Sequence, residues 1–181
     1  MIEKFDIKGP VLISSKVFKD DRGKFFESFN LKQFEEIVGE KINFVQDNLS
    51  VSKLNVVRGL HFQKPPYSQG KLVRVLKGKV VDVVVDIRKN SPTFGHHISV
   101  VLSEDNCKML WIPVGFAHGF SSLTADVIFS YKCTEYYHYE SEDSLLWNDK
   151  KLKIDWKIES PILSEKDKIS QSFITFKTPF I

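Results

Sequence analysis

Residues 71–87, KLVRVLKGKVVDVVVDI, hold two runs of Val, Leu and Ile on either side of Lys77-Gly78. β-Branched residues suit a pleated strand, and a glycine between two apolar runs predicts a tight hairpin. The second run is short and interrupted by Asp82 and Asp86, so it is no membrane span. Outward from it the same composition recurs in VLISSKVF, GKFFESF, INFVQDNLSVS, NVVRGLHFQ, HHISVVLS, KMLWIPV, HGFSSL and VIFSYKCTEYY. Turn signals separate them: Asp20-Asp21-Arg22-Gly23, Lys64-Pro65-Pro66, Ser91-Pro92 and Thr124-Ala125-Asp126. Many short strands and little helix predict an all-β sandwich or barrel. The double-sheet jelly roll is one such solution, with a mouth that can hold a ligand.

Two segments stand apart. NLKQFEEIVG carries Asn30 as N-cap, Gln33 three residues on, apolar Phe34, Ile37 and Val38, and Gly39 as a stop, which predicts a short helix near the N-terminus. Beyond residue 140 the strand pattern fades into a long, partly ordered C-terminal arm with a helical turn near Ser164. A chain of 181 residues fits one domain over 1–181.

Hydrophobic residues at 42% supply a core, and charged residues at 27% are interspersed, which argues against disorder. The net charge of +3 is mild and its bases are scattered, so nucleic acid is not the expected partner. Cys107 and Cys133 have no metal-ligand spacing and read as thiols in a reducing compartment. The N-terminus MIEKFDIKGP lacks the apolar run of a signal peptide. A cytoplasmic protein without membrane contact is expected.

The informative exceptions are polar groups inside strand patterns. His61 follows Gly59, where the backbone can bulge or approach a ligand; Lys71 opens the next strand; His118, Tyr131 and Asp167 lie further on. Taken singly, each has an ordinary explanation: a core histidine bonded to a carbonyl, a strand-end lysine with its ammonium in water, one tyrosine of five. A metal centre is not expected, because no His-x-His pair or adjacent glutamate accompanies His61, and His96-His97 point to opposite faces of a regular strand. Gly-x-Ser-x-Gly elbows and phosphate-binding glycine loops are absent.

VFKDDRGKFFESFN, FVQDNLS, VVRGLHFQKPP, QGKLVRVLKGKVVDVVVDIRKNSPTFG, LWIPVGFAHGF, YKCTEYY, LLWND, IDW and PILSEKD, in this order from Val17 to Asp167, resemble the dTDP-4-dehydrorhamnose 3,5-epimerase family. The resemblance implies a cupin-type jelly roll, a homodimer with shared strands, no metal or organic cofactor, and inversion at C3 and C5 of a nucleotide-linked 4-keto-6-deoxy sugar. By the family's pattern His61 is the base, Asp167 orients it, Tyr131 delivers a proton to the opposite face, and Lys71 lies near the oxyanion. That division of labour is what the chemistry asks for. Protons at C3 and C5 flank the C4 ketone, so their removal gives an enolate that needs a base, an acid and a cation.

Binding residues follow from the same resemblance. Arg22 and Glu27 match a hairpin that reaches the neighbouring subunit's site, Gln46 and Asn48 match strand contacts, and Arg58 a diphosphate contact. His118, Glu142 and Lys166 match further ligand positions, while Phe18 and Tyr137 offer aromatic surface for the base. Simple alternation puts Arg58 and His61 on opposite faces, so the strand bulges at Gly59 or the two serve different subunits. After Gln46-Asp47-Asn48 this chain reads Leu49-Ser50-Val51-Ser52, where many members carry an arginine. The alternatives are a GDP-linked 4-keto-heptose as substrate, or inversion at C3 alone, for surface polysaccharide synthesis. A cupin that binds sugar nucleotide without turnover is the rival class; a base and an acid together argue against it.

Overall fold

The computed structural model describes residues 1–181. In chain order the elements are β1 (Ile2–Lys4), β2 (Val11–Ser14), β3 (Phe18–Asp20), β4 (Gly23–Phe25), α1 (Leu31–Val38), β5 (Gln46–Ser52), β6 (Val57–Gln63), β7 (Lys71–Lys77) and β8 (Lys79–Asp86). There follow β9 (His97–Ser103), β10 (Lys108–Ile112), β11 (Phe116–Ser122), β12 (Val127–Cys133), β13 (Glu142–Ser144) and α2 (Glu165–Lys168). Two antiparallel sheets face each other, one ordered β1-β2-β10-β7-β12-β5 and the other β13-β6-β11-β8-β9, with β3 and β4 as a separate hairpin. This is the expected cupin-type jelly roll, as two sheets that remain separate rather than a closed barrel.

Lys77-Gly78 does not make a hairpin. β7 lies in the six-stranded sheet and β8 in the five-stranded one, so Gly78 turns the corner between layers. The reason is burial: Val73 and Val75 from β7 meet Val80 and Val84 from β8 across one core, with Phe120 and Phe129. A hairpin would set those four valines side by side in one sheet. Gly78 holds the corner at φ 82°, where an added Cβ would meet Thr124 Oγ1 at 2.5 Å. Its N–H donates to Glu104 Oε1 at 2.8 Å.

β8 carries buried valines on both faces because both are covered. Val81, Val83 and Val85 turn outward, against Leu145, Leu152, Trp156, Phe173 and Phe180 of the C-terminal segment. The arm is therefore half of a second core rather than an appendage, since each buried Leu or Phe stabilises by about 1.5–3 kcal/mol. α1 forms as the sequence predicts. Asn30 accepts from the Gln33 N–H, Gly39 ends the helix in the left-handed region, and Phe34 is its buried residue. Phe34 seats edge-on against Trp111 on the outer face of the six-stranded sheet.

Candidate active site

Gly59 shapes the strand that carries His61. Between β6 and β11 the register runs His118 opposite His61 but Phe120 opposite Arg58, so β6 holds one extra residue, a β-bulge. Gly59 adopts φ +129°, and a Cβ there would sit 2.4 Å from Gly119 Cα; a Cβ on Gly119 would sit 2.7 Å from Arg58 O. Both glycines are needed for this close approach. The bulge resolves the alternation problem, because Arg58 turns to the opposite sheet, donating to Ser52 Oγ at 3.0 Å and Val51 O at 3.3 Å.

Asp167 reaches His61 from the C-terminal segment. Ile162 bonds to Asn55 O and accepts from the Val57 N–H, which lays the segment alongside the start of β6. Ser164 then caps α2 through the Asp167 N–H at 3.1 Å. The Asp167 carboxylate, 3% exposed, lies 2.6 Å from His61 Nε2. Burial pushes Asp167 up, but the hydrogen bond and charge of His61, with the Ser164 hydroxyl, outweigh it and hold the carboxyl below its usual range. The other ring nitrogen of His61 makes no hydrogen bond to the protein.

His61 lines a cavity of about 150 Å³ together with Lys71, Tyr131, Gln46, Asn48, Tyr137 and Glu142. His61 comes from one sheet, Lys71 and Tyr131 from the other. The cavity is smaller than a typical pocket for a whole ligand, roughly 300–1,000 Å³, so a nucleotide sugar would extend beyond it. Burial pushes the Tyr131 hydroxyl above its ordinary value, which keeps it protonated. Burial lowers Lys71, and the neighbouring Cys133, Glu142 and Asp82 act in the opposite direction.

The remaining expected residues lie around this centre. Lys166 pairs with Glu142 at 2.5 Å, and Tyr137 donates its hydroxyl to the same carboxylate at 2.9 Å. Burial acts to raise Glu142, but Lys166 and Tyr137 bring it below the usual value. His118 is set back from the cavity, with Nε2 at 3.0 and 2.9 Å from the two Asp82 oxygens. Phe18, Arg22 and Glu27 do not join the cavity of their own chain. Arg22 pairs with Asp20 at 2.5 Å, Glu27 accepts from Asn30 at 3.2 Å, and Phe18 is exposed on the hairpin.

Sequence reasoning missed Asp82, Gln63 and Cys133. Asp82 is fully buried, and burial raises it although His118 and Lys71 pull it down. Its signal was present, as a carboxylate inside a run of valines. Cys133 accepts from Asn48 Nδ2 at 3.6 Å, and nothing in its spacing pointed there. No group of three or more His, Cys, Asp or Glu side chains is arranged to hold a metal ion.

The model of the dTDP-4-dehydrorhamnose 3,5-epimerase family matches residues 4–174. The chain is similar to the dTDP-4-dehydrorhamnose 3,5-epimerase of Shigella flexneri, 52% identical over 171 residues and 94% of each chain. Among solved structures it resembles the dTDP-6-deoxy-D-glucose-3,5-epimerase of Legionella pneumophila Philadelphia 1 in complex with dTDP-4-keto-L-rhamnose. That likeness has 46% identity, a TM-score of 0.95, and coverage of 100% of this chain and 98% of that one. A 3'-monoepimerase from Streptomyces bikiniensis in complex with dTDP-quinovose is also similar, at 30% identity and TM-score 0.90 over 94% and 87% of the two chains. With the family model matching residues 4–174 and relatives about half identical along nearly its whole length, the chain belongs to the dTDP-4-dehydrorhamnose 3,5-epimerase family.

Proposed function

We propose that this protein converts dTDP-4-dehydro-6-deoxyglucose to dTDP-4-dehydrorhamnose by inverting C3 and C5 through enolates. The observation that carries the reading is the His61–Asp167 pair at 2.6 Å, facing Tyr131 of the opposite sheet across one cavity. His61 takes the proton beside the C4 ketone, and Asp167 stabilises the imidazolium as a carboxylate does in other such pairs. Lys71 faces the developing oxyanion. Tyr131, kept neutral by burial, protonates the other face. The relatives' dTDP-linked names favour dTDP over GDP, and the 3,5-epimerases at 46–52% identity favour two centres over the single inversion of the 30% relative.

The working form we propose is a homodimer of one-domain chains, in the cytoplasm where nucleotide sugars are made. No helix is long and apolar enough to cross a membrane. Two features support the dimer. The β3–β4 hairpin holds Phe18 and Arg22 away from their own cavity, which is too small for the whole substrate. Edge strand β5 points Gln46, Asn48, Ser50 and Ser52 inward and leaves Leu49 and Val51 each 60% exposed outward, an apolar face that a second copy would cover.

The test is mass spectrometry and proton NMR of the dTDP-linked 4-keto sugar in heavy water. His61→Asn abolishes both deuterium exchange and inversion, because no enolate forms. Tyr131→Phe keeps exchange while inversion falls by about 10²–10⁴, the usual contribution of a general acid. Near-normal inversion by Tyr131→Phe refutes the two-face assignment. Absence of exchange with the unmutated protein favours a binder.

A further inference from the structure

Two loops build the wall of the cavity beside Tyr137: residues 64–70, between β6 and β7, and residues 134–141, after β12. They are laced together. Gly70 donates to Thr134 Oγ1 at 2.8 Å, Gln69 Nε2 to Glu135 O at 2.8 Å, and the Tyr67 and His138 rings stack with centroids 3.9 Å apart. At the centre lies Gln63, 4% exposed and two residues beyond His61 on β6. Its Nε2 donates to Tyr67 O at 2.6 Å and to Tyr136 O at 3.1 Å, while its Oε1 accepts from the His138 N–H at 2.9 Å. Both N–H groups and the carbonyl are used on the two residues that flank Tyr137 and on the loop opposite. Gln46 Oε1 accepts from the Tyr137 N–H itself at 2.9 Å.

We propose that Gln63 is a positioning residue that fixes the height of Tyr137 at the rim, and thereby sets affinity for the nucleotide half of the substrate. This rests on the reading of Tyr137 as aromatic surface for the base. Gln63 moves no proton. Its bonds run to backbone on the rim, whereas His61 is held independently by Asp167. Loss of Gln63 therefore lets the 136–138 segment shift without disturbing the dyad. A buried amide suits this role because it satisfies two carbonyls and one N–H at once, which no carboxylate or thioether of similar size does.

The experiment compares wild type, Gln63→Met, Gln63→Glu and Tyr137→Ala for dTDP affinity by calorimetry and for kcat and KM on the dTDP-linked 4-keto sugar. Gln63→Met, which removes all three bonds and frees the rim segment, raises the dTDP dissociation constant and KM about tenfold, while kcat falls less than about threefold. Tyr137→Ala shows the same split. Gln63→Glu puts a carboxylate against two carbonyl oxygens, and burial raises its pKa. Protonation restores one donor, so its dTDP affinity relative to wild type recovers between about pH 8 and about pH 6. This pH-dependent rescue is a signature that general destabilisation would not give, and it keeps the test decisive should the Met variant fold poorly. Unchanged KM and affinity in Gln63→Met and Gln63→Glu, beside a wild type that binds dTDP and exchanges protons, overturn the positioning role alone. Equal losses in kcat and kcat/KM also overturn it. A wild type that neither binds dTDP nor exchanges protons overturns the functional reading, and this inference with it.

Discussion

On the proposed mechanism, Asp167→Asn isolates what the carboxylate does for His61. The replacement is nearly isosteric, and Asp167 is absent from the cavity lining, so substrate contacts should survive. What changes is the 2.6 Å bond to His61 Nε2, which loses its charge. A hydrogen bond to a charged group is worth about 1.5–3 kcal/mol and a neutral one about 0.5–1.5. The transition state, with His61 becoming imidazolium, thus loses about 1–2 kcal/mol, or roughly 5- to 30-fold in rate. If the new amide presents its NH₂ to Nε2, the proton is forced onto the ring nitrogen that should act as base. The loss then grows toward the roughly 10⁴-fold seen when a triad aspartate is amidated. The expected result is kcat down at least about fivefold with KM nearly unchanged, and deuterium incorporation slowed in parallel with inversion. Steady-state NMR assays read both. Wild-type kcat in Asp167→Asn, or a loss confined to KM, would refute the reasoning.

Three further outcomes follow from the geometry. Gly59→Ala, which places Cβ 2.4 Å from Gly119 Cα at φ +129°, should destabilise by about 3 kcal/mol or more; a melting temperature equal to wild type would contradict the close approach. Buried Asp86 would be raised by burial, but Arg88, Ser91 and Thr93 outweigh it and lower it to about 2. A depressed folded-state value means the stabilisation, about 2 kcal/mol, is complete above the unfolded value of 3.8 and is lost as pH falls toward 2. Asp86→Asn should therefore differ from wild type in urea titrations at neutral pH and converge with it in that acid window. Leu49→Lys with Val51→Lys should yield monomers of low activity in sedimentation, and a persisting dimer would move the interface elsewhere.

Local chemistry in the sequence carried the helix, most strands and the helical turn near Ser164, because end signals and β-branched runs act within a few residues. The Lys77-Gly78 corner was not legible. Glycine at positive φ serves a hairpin and a layer change equally, and the choice is made by β8 pairing with β11 rather than with β7. The C-terminal segment was underestimated for a related reason. Its anchors Leu152, Trp156, Phe173 and Phe180 are irregularly spaced, so no period marks them, yet together they cover the outer valines of β8. At the site, the motif residues named His61, Lys71, Tyr131 and Asp167, and the structure brings these four together. Gln63 escaped notice because its importance lies in three bonds to backbone atoms up to 75 residues away, which leave no trace in residue type.

The dyad joins positions 106 apart in the chain, and its acidic member rides on the segment packed outside the five-stranded sheet. That segment touches the sheet through side chains and a few isolated bridges, while the sandwich behind it is held by strand-to-strand pairing. Sub-global opening is drawn from such weakly cross-linked regions. A molecule whose tail has lifted away keeps its jelly roll and the residues that line its cavity but has an unassisted histidine. On the proposed mechanism, activity therefore depends on a layer packed outside the sandwich, and it should vanish at lower denaturant than the β-sheet signal does.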